Sequence, residues 1–345
     1  MKLRTQVKNL QLKDTFTISR GSRDAVPVVI SEVDADGVVG IGETSPSSFY
    51  DEAVETVSSA LNSLRDFLEK ADPYCYRHLL EEAAERLGTN RGALCALDLA
   101  VFDWMTRKVG KPLHRLMGLD PQRIPTSSFT IGIDTVDRMV EKVRAAKDYP
   151  IIKVKVGTPD DIEIIRRLRN ETEAVFRVDA NCGWTASETI DKSAELKSLG
   201  VEFIEQPLPP TEIDAMEEVF RKSALPVIAD ENSVVPQDVP KLPGRFHGIN
   251  IKLVKCGGIL PALRMVHLAR TLGLKVMYGC MIESSVCITA AAQIGALADY
   301  VDLDGNVLIT NDPYVGVENE NGRLILPEGW VEERDRGEGE RLAAR

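Results

Sequence analysis

Cysteine is sparse and unpatterned. The six in this 345-residue chain (Cys75, Cys95, Cys182, Cys256, Cys280, Cys287) form no C-x-x-C pair and no framework spacing. That excludes a disulfide scaffold and points to free thiols in a reducing compartment. Histidine is scarcer still: His78, His114, His247 and His267 share no position in the pattern described below. Ser284, Ser285 and Cys287 have no His–Asp arrangement around them, which removes nucleophilic hydrolysis. No apolar run approaches the ~18 residues of a membrane-spanning helix; the longest, 286–298, is interrupted by Thr289 and Gln293. The first eight residues, Met1 to Lys8, lack the apolar core of a signal peptide. Basic residues are outnumbered, 42 against 53, for a net charge of -11. That balance argues against nucleic acid and anionic membranes as partners. There is no Walker loop, and the cluster Gly37-x-x-Gly40-x-Gly42 falls in a hairpin rather than a strand-to-helix turn, so it does not read as a dinucleotide site. The expected location is cytoplasmic.

What the chain has in quantity is one repeated step. Apolar runs end at Lys155, Asp179, Glu205, Asp230, Lys252, Met277 and Asp302, with separations of 24, 26, 25, 22, 25 and 25 residues. Each interval fits one strand plus one helix, the pattern of a parallel α/β array with chemistry at the strand ends. With Ser127–Gly132 as a first strand the count is eight, enough to close a barrel, and each strand is expected to be followed by a helix. Before the ladder, residues 1–45 alternate as strands: Leu3–Val7, a break, then Val26–Ile30 and Val38–Gly42 joined by an Asp36-Gly37 turn. Ser19–Arg23 reads as a mobile loop, Ser45–Tyr50 as a second loop ending where a helix starts at Asp51, and 51–118 as helices. Residues 306–330 read as short extended pieces and 331–345 as poorly ordered.

Asp179, Glu205 and Asp230 end three successive strands, about 5 Å apart in a barrel. Three converging carboxylates repel unless a cation holds them. An all-oxygen set favours Mg²⁺, with Mn²⁺ possible. Lys153 and Lys155 share one face of their strand, and Lys252 lies across the carboxylate group. A metal flanked by two lysines suits proton movement at a carbon beside a carboxylate. The lysine pKa would have to fall to about 7–8, which cationic neighbours favour. Asp302 and Asp304, paired on the last strand away from the metal, suit a substrate ammonium or a structural role.

Lys153-Val-Lys155, Asp179-Ala-Asn181, Glu205-Gln-Pro207, Asp230-Glu231 and Asn250-Ile-Lys252 together resemble the enolase superfamily, muconate-lactonizing subgroup; its Lys bases with Mg²⁺ are a known pairing. Asp302-Leu-Asp304 and Gly279–Ser284 resemble its dipeptide epimerases. The resemblance implies an α/β fold, a modified TIM barrel (β/α)₇β of residues 121–317. Its α+β capping domain would be 1–120 plus about 318–345. It implies Lys155 and Lys252 as paired acid/base residues assisted by Lys153. Asp179, Glu205 and Asp230 would hold one Mg²⁺ per subunit, with Asn181 and Glu231 behind them. Asp302 and Asp304 would take the dipeptide ammonium, and Arg20, Arg23, Tyr50, Thr130, Met281 and Ile282 would complete the substrate site. An Arg in cap loop 16–24 would meet a glutamate side chain, whereas loop 45–52 brings no Arg and its aromatics equally suit an apolar pocket. The implied reaction is two-base epimerisation at the second residue of an L-Xaa-Xaa dipeptide, possibly L-Ala-D/L-Glu, in a homo-oligomer. The rivals are o-succinylbenzoate synthesis, N-succinylamino acid racemisation, muconate cycloisomerisation, or a non-catalytic barrel protein.

Overall fold

The computed structural model describes residues 1–334. An antiparallel sheet comes first, β1 (Lys2–Ile18), β2 (Gly21–Ala35) and β3 (Val38–Thr44), in that order. Asp36 and Gly37 both take positive φ, 51° and 74°, as a tight hairpin turn requires. The expected break after Val7 and the mobile loop at 19–23 are not there. β1 and β2 run on as one long hairpin with a register shift between Gln11 and Phe16, and its tip is only Ser19-Arg20. Polar cross-strand pairs hold the outer part together: Thr15 Oγ1 donates to Asp24 Oδ1 at 2.6 Å, and Thr17 and Ser22 hydroxyls lie 2.9 Å apart. Apolar alternation here is broken, since Asp14 stands between Leu12 and Phe16, so the strand signal was weak.

The helix expected at Asp51 starts at Val54, because Asp51 takes the left-handed conformation after a 3₁₀ turn at Ser48–Tyr50. The helix Arg91–Val109 is buried along nearly its whole length and ends at a left-handed Gly110. β3 lies directly on it. A Cβ at Gly40 would sit 2.1 Å from Ala100 O, and one at Gly42 2.0 Å from Ala96 O. The glycine cluster therefore serves close strand–helix packing.

Eight parallel strands follow in sequential order: β4 (Phe129–Ile131), β5 (Ile151–Lys155), β6 (Val175–Asp179), β7 (Val201–Glu205), β8 (Val227–Ala229), β9 (Gly248–Ile251), β10 (Lys275–Gly279) and β11 (Tyr300–Asp302). A parallel bridge between Ser127 and Val301 joins the two ends, so the sheet closes on itself. The expectation of a helix after each ladder strand fails at one place. β8 is followed only by a 3₁₀ turn, Val239–Lys241. Pro236, Pro240 and Pro243 in that stretch remove donors and block helix propagation. This is also the shortest rung of the ladder. Beyond β11 the described residues form short antiparallel pairs, 314–315 with 332–333 and 318–320 with 323–325, in keeping with the short extended pieces expected for 306–330. Trp330 and Val331 are buried, and Arg107 Nη2 donates to Val331 O at 2.7 Å. Residues 331–334 are thus held by strand pairing, with Val331 buried and Glu332 and Glu333 exposed, and the remainder of that expectation, 335–345, lies outside the described residues.

Two buried carboxylates fasten the N-terminal unit to the barrel. Asp98 accepts from Ile259 N and Leu260 N at 2.6 and 3.2 Å, opening the helix Ile259–Thr271. Glu43 accepts from Ser284 N at 2.8 Å and Cys287 N at 3.3 Å, opening the helix Ser285–Gln293. Acidic groups at helix N-termini satisfy free N–H groups and meet the positive end of the dipole.

Candidate active site

The C-terminal ends of the barrel strands face the β1–β2 hairpin tip and the 45–50 loop across a cavity of about 500 Å³. Register places the floor. Lys155 pairs with Asp179, and Asp179 with Glu205, so the charged strand ends stand side by side. Oxygens of Asp179, Glu205 and Asp230 all lie within 4.8 Å of one another. Three carboxylate oxygens without nitrogen or sulfur fit a hard divalent cation such as Mg²⁺. Glu205 Oε2 is buried without an aligned hydrogen bond, although Lys153 Nζ stands 2.8 Å away. An oxygen in that state has a lone pair to give a metal.

Lysines interleave with these acids. Lys155 Nζ donates to Asp179 Oδ2 at 2.7 Å and Lys252 Nζ to Asp230 Oδ2 at 2.9 Å. Their strands, β5 and β9, flank the three strands that carry the carboxylates. Lys153 Nζ lies 3.2 Å from Asp179, 2.8 Å from Glu205 and 2.8 Å from Asp302. Asp302 and Asp304 are therefore not a separate acidic pair, since Lys153 ties Asp302 directly to the carboxylate cluster. Ser128 Oγ donates to Asp302 Oδ1 at 2.7 Å, and Thr130 N to Asp304 Oδ2 at 2.6 Å.

The charges divide the acids. Burial alone would raise Asp179, but the lysine charges of 155 and 153 outweigh it and hold the carboxyl well below its usual range. Asp230 is lowered likewise, by Lys252 and Lys255 against burial. Glu205 is pushed up to about 7 by burial and then by Asp179. Asp304 is pushed up to about 7 by burial and then by Asp302. Lys252 departs from the expectation of a lowered base. Burial pulls it down, yet Asp230 more than compensates and holds it above its ordinary value. The cation that would offset Asp230 is not part of the chain.

The rest of the expected set falls on the cavity. Thr130, Asn181, Glu231, Met281 and Ile282 line it, as do Arg20, Arg23 and Tyr50 from the cap side. Arg20 does not stand free. Its Nη1 lies 2.8 Å from Glu231 Oε1 and donates to Asn181 O at 2.8 Å. Arg23 lies exposed at the rim. Asn181, Cys182 and Gln206, just beyond two of the metal-type ligands, take positive φ of 45°, 66° and 33°. Strain at that density is characteristic of functional loops.

Several residues were given no role by the sequence reading. Lys255 is buried and donates to Asp230 Oδ1 and to the carbonyls of Asp230, Ser233 and Asn250. Its signal was a lysine set between Val254 and Cys256 in an apolar run. Asn250 Nδ2 donates to Glu205 Oε1 at 2.7 Å; it shares the Lys252 face of β9 by strand alternation. Gln206 Oε1 accepts from Asp230 N at 2.9 Å, a contact with no local signature.

A closed parallel barrel under an antiparallel-sheet cap, with acids and lysines at the strand ends, defines an enolase-like two-domain protein. The mandelate racemase/muconate lactonizing enzyme N-terminal domain matches residues 2–118 and the enolase C-terminal domain-like model residues 135–330. The chain belongs to this family, within the enolase superfamily. It is 45% identical over 322 residues to an L-Ala-D/L-amino acid epimerase of Flavobacterium johnsoniae, covering 93% of this chain and 96% of that one. A second enzyme of the same description, from a Maribacter species, is 43% identical over 331 residues, covering 95% and 97%. The crystal structure of a dipeptide epimerase from Enterococcus faecalis, complexed with Mg and L-Leu-L-Tyr, superposes with a TM-score of 0.89 at 28% identity, covering 96% and 99%.

Proposed function

We propose that the protein is a Mg²⁺-dependent dipeptide epimerase that inverts the α-carbon of the second residue. The observation that carries this is the pair Lys155 and Lys252, buried in one cavity on strands either side of the carboxylate triad. In this reading Asp179, Glu205 and Asp230 hold the metal. The chemistry a cation supplies there when bound is neutralisation of the substrate carboxylate as the α-proton leaves. Asp302 and Asp304 receive the α-ammonium, oriented by Ser128 and Thr130. One lysine removes the α-proton from its face and the other delivers a proton to the opposite face, which inverts the centre. Lys153 neutralises the acids between the metal site and the ammonium site, and so supports Lys155 electrostatically. Lys255 and Asn250 fix the positions of Asp230 and Glu205.

The same reading takes residues 1–120 with the chain from about 318 as the cap, supported by the bond from Arg107 to Val331 O. It places a homo-oligomer in the cytoplasm; the free cysteines suit a reducing compartment. No helix among the described residues is long and apolar enough to cross a membrane. The test is purified, Mg²⁺-loaded protein in deuterated water with a dipeptide library. Deuterium at the second α-carbon, together with the second epimer, is the expected result. No exchange with any dipeptide would overturn the proposal. Turnover of an N-succinylamino acid or a muconate instead would move it to another reaction of the subgroup.

A further inference from the structure

Asp161 opens the helix Asp161–Arg169, yet its carboxylate turns away from that helix. An acid at a helix start ordinarily accepts from the free N–H groups of its own first turn. Asp161 reaches back instead. Its Oδ1 accepts from Gly157 N at 3.0 Å, Thr158 N at 2.8 Å and Thr158 Oγ1 at 2.8 Å. Its Oδ2 accepts from Trp184 Nε1 at 2.7 Å and from Lys192 Nζ at 3.1 Å. Lys192 Nζ also stands 4.6 Å from the centre of the Trp184 ring, so the cation covers the indole that shares its acceptor. The Asp161 side chain is fully buried, and these donors offset the cost of taking its charge out of water.

The donors come from two loops. Gly157 and Thr158 follow β5, just beyond Lys155, whereas Trp184 lies in the loop after β6, just beyond Asp179 and Asn181. The loops also touch directly, since a Cβ on Gly183 would stand 3.0 Å from Gly157 Cα. Gly157 has a φ of 114°, a path that a side chain would strain. Val156 N donates to Asp179 O at 2.9 Å; from there outward, Asp161 joins the two loops. Trp184 N donates to Pro207 O at 2.9 Å, so the second loop is itself anchored beyond β7. Lys252 has no part in this arrangement. It leads straight into the short helix Leu253–Cys256, and none of the bonds to Asp161 involves that segment.

We propose that Asp161 is a positioning residue for Lys155: it splices the loops after β5 and β6 and so fixes the base on one face of the α-carbon only. The inference rests on the dipeptide epimerase reading above. Its consequence is an asymmetry. A displaced metal ligand slows proton removal from both epimers, whereas a displaced Lys155 slows only the epimer whose α-proton faces it. Lys155→Ala identifies that epimer, because the exchange that variant retains belongs to Lys252. Asp161→Asn presents an amide N–H₂ to one of the two donor groups, so the splice is cut whichever way the amide turns. Misplacing a reacting group by about 1 Å costs on the order of a hundredfold in rate. With part of that displacement, Asp161→Asn should slow deuterium wash-in at the Lys155 epimer by about tenfold. At the Lys252 epimer the slowing should stay below about threefold. Loss of stability alone would lower both rates together.

The measurement is proton NMR in deuterated water on the Mg²⁺-loaded full chain. The substrate is the dipeptide of the library test that exchanges fastest, taken as separate L,L and L,D epimers. Trp184→Phe is the second arm and serves alone should Asp161→Asn not fold. It removes one donor, keeps an aromatic ring beside Lys192, and lies on the loop that does not carry Lys155. It should shift the ratio of the two rates in the same direction, by about threefold or more. Because both substitutions cut one splice, the double variant should stay within about twofold of the slower single variant. Equal slowing at both epimers in either variant overturns the proposal, as does a selective loss at the Lys252 epimer. A double variant whose losses multiply overturns it too. The two levels fail differently. Absence of α-exchange with every dipeptide defeats the epimerase reading, whereas wild-type exchange at both epimers with an unmoved ratio in the variants defeats only the role of Asp161.

Discussion

Lys155 and Lys252 end on different carboxylates, and that separation makes their roles testable one at a time. A positioned acid/base group contributes roughly 10²–10⁴ in rate. Lys155→Ala and Lys252→Ala should each reduce net epimerisation by at least that range. Proton exchange need not vanish with it. Each variant retains one lysine, so each should still wash deuterium into the one epimer whose α-proton faces that lysine, and the two variants should retain opposite epimers. Proton NMR of separate L,L and L,D substrates reads this directly, and loss of exchange for both epimers in both variants would refute the two-face assignment. Asp304 gives a pH prediction. Burial, then the charge of Asp302, holds its carboxyl near 7. Above that value it is ionised, the state in which the proposed role has it accept the ammonium, and below it is neutral. Accordingly kcat/KM should fall about tenfold per pH unit below about 7, with kcat falling less. Asp302→Asn should raise KM for dipeptides bearing a free amine and spare analogues without one, as steady-state kinetics would show.

At the scale of elements, the barrel was legible because buried parallel strands are continuous apolar runs, and a polar residue ending each run marks the rim. The triad and both lysines could be read for that reason: each stands at a strand end, a position that sequence spacing encodes. The outer half of the β1–β2 hairpin carries only a broken pattern, because Asp14 interrupts the alternation of Leu12, Phe16 and Ile18, and pairs such as Thr15–Asp24 hold it. The missing helix after β8 was written in three prolines, outweighed by the regular spacing around them. Contacts such as Arg20–Glu231 and Asp98–Ile259 join remote segments and have no local signal at all. The Asp98 joint can be tested. Removing the side chain in Asp98→Ala leaves two buried N–H groups unpaired, at a cost of about 1–3 kcal/mol by denaturant unfolding. Asp98 is pushed up to about 8, chiefly by burial and against its two N–H bonds, while in the unfolded chain it titrates near 3.9. The folded value is the higher, so its contribution is complete below about pH 4 and is lost as pH rises through about 8. Asp98→Asn should therefore flatten the decline of stability across that window, and an unchanged pH slope would place the burial cost elsewhere.

For the molecule as a whole, the three metal-type ligands come from three adjacent strands, so whatever binds them is coupled to barrel closure. Lys153, Lys155 and Lys252 offset part of the repulsion between these acids. A cation that binds only the folded arrangement still stabilises it by mass action, by about 2.7 kcal/mol at a hundred times its Kd. MgCl₂ should accordingly raise the unfolding temperature by several degrees over an EDTA-treated sample, and the rise should grow with the logarithm of concentration. Asp230→Asn removes a ligand charge while keeping the side chain's shape, so it should abolish most of that rise even though Lys252 and Lys255 lose a partner. Calcium should give a smaller rise than Mg²⁺ if the site imposes a compact octahedral shell. Differential scanning calorimetry on both proteins decides it: equal shifts in wild type and Asp230→Asn would mean that Mg²⁺ acts elsewhere on this acidic surface, and the triad would lose its assignment as the metal site.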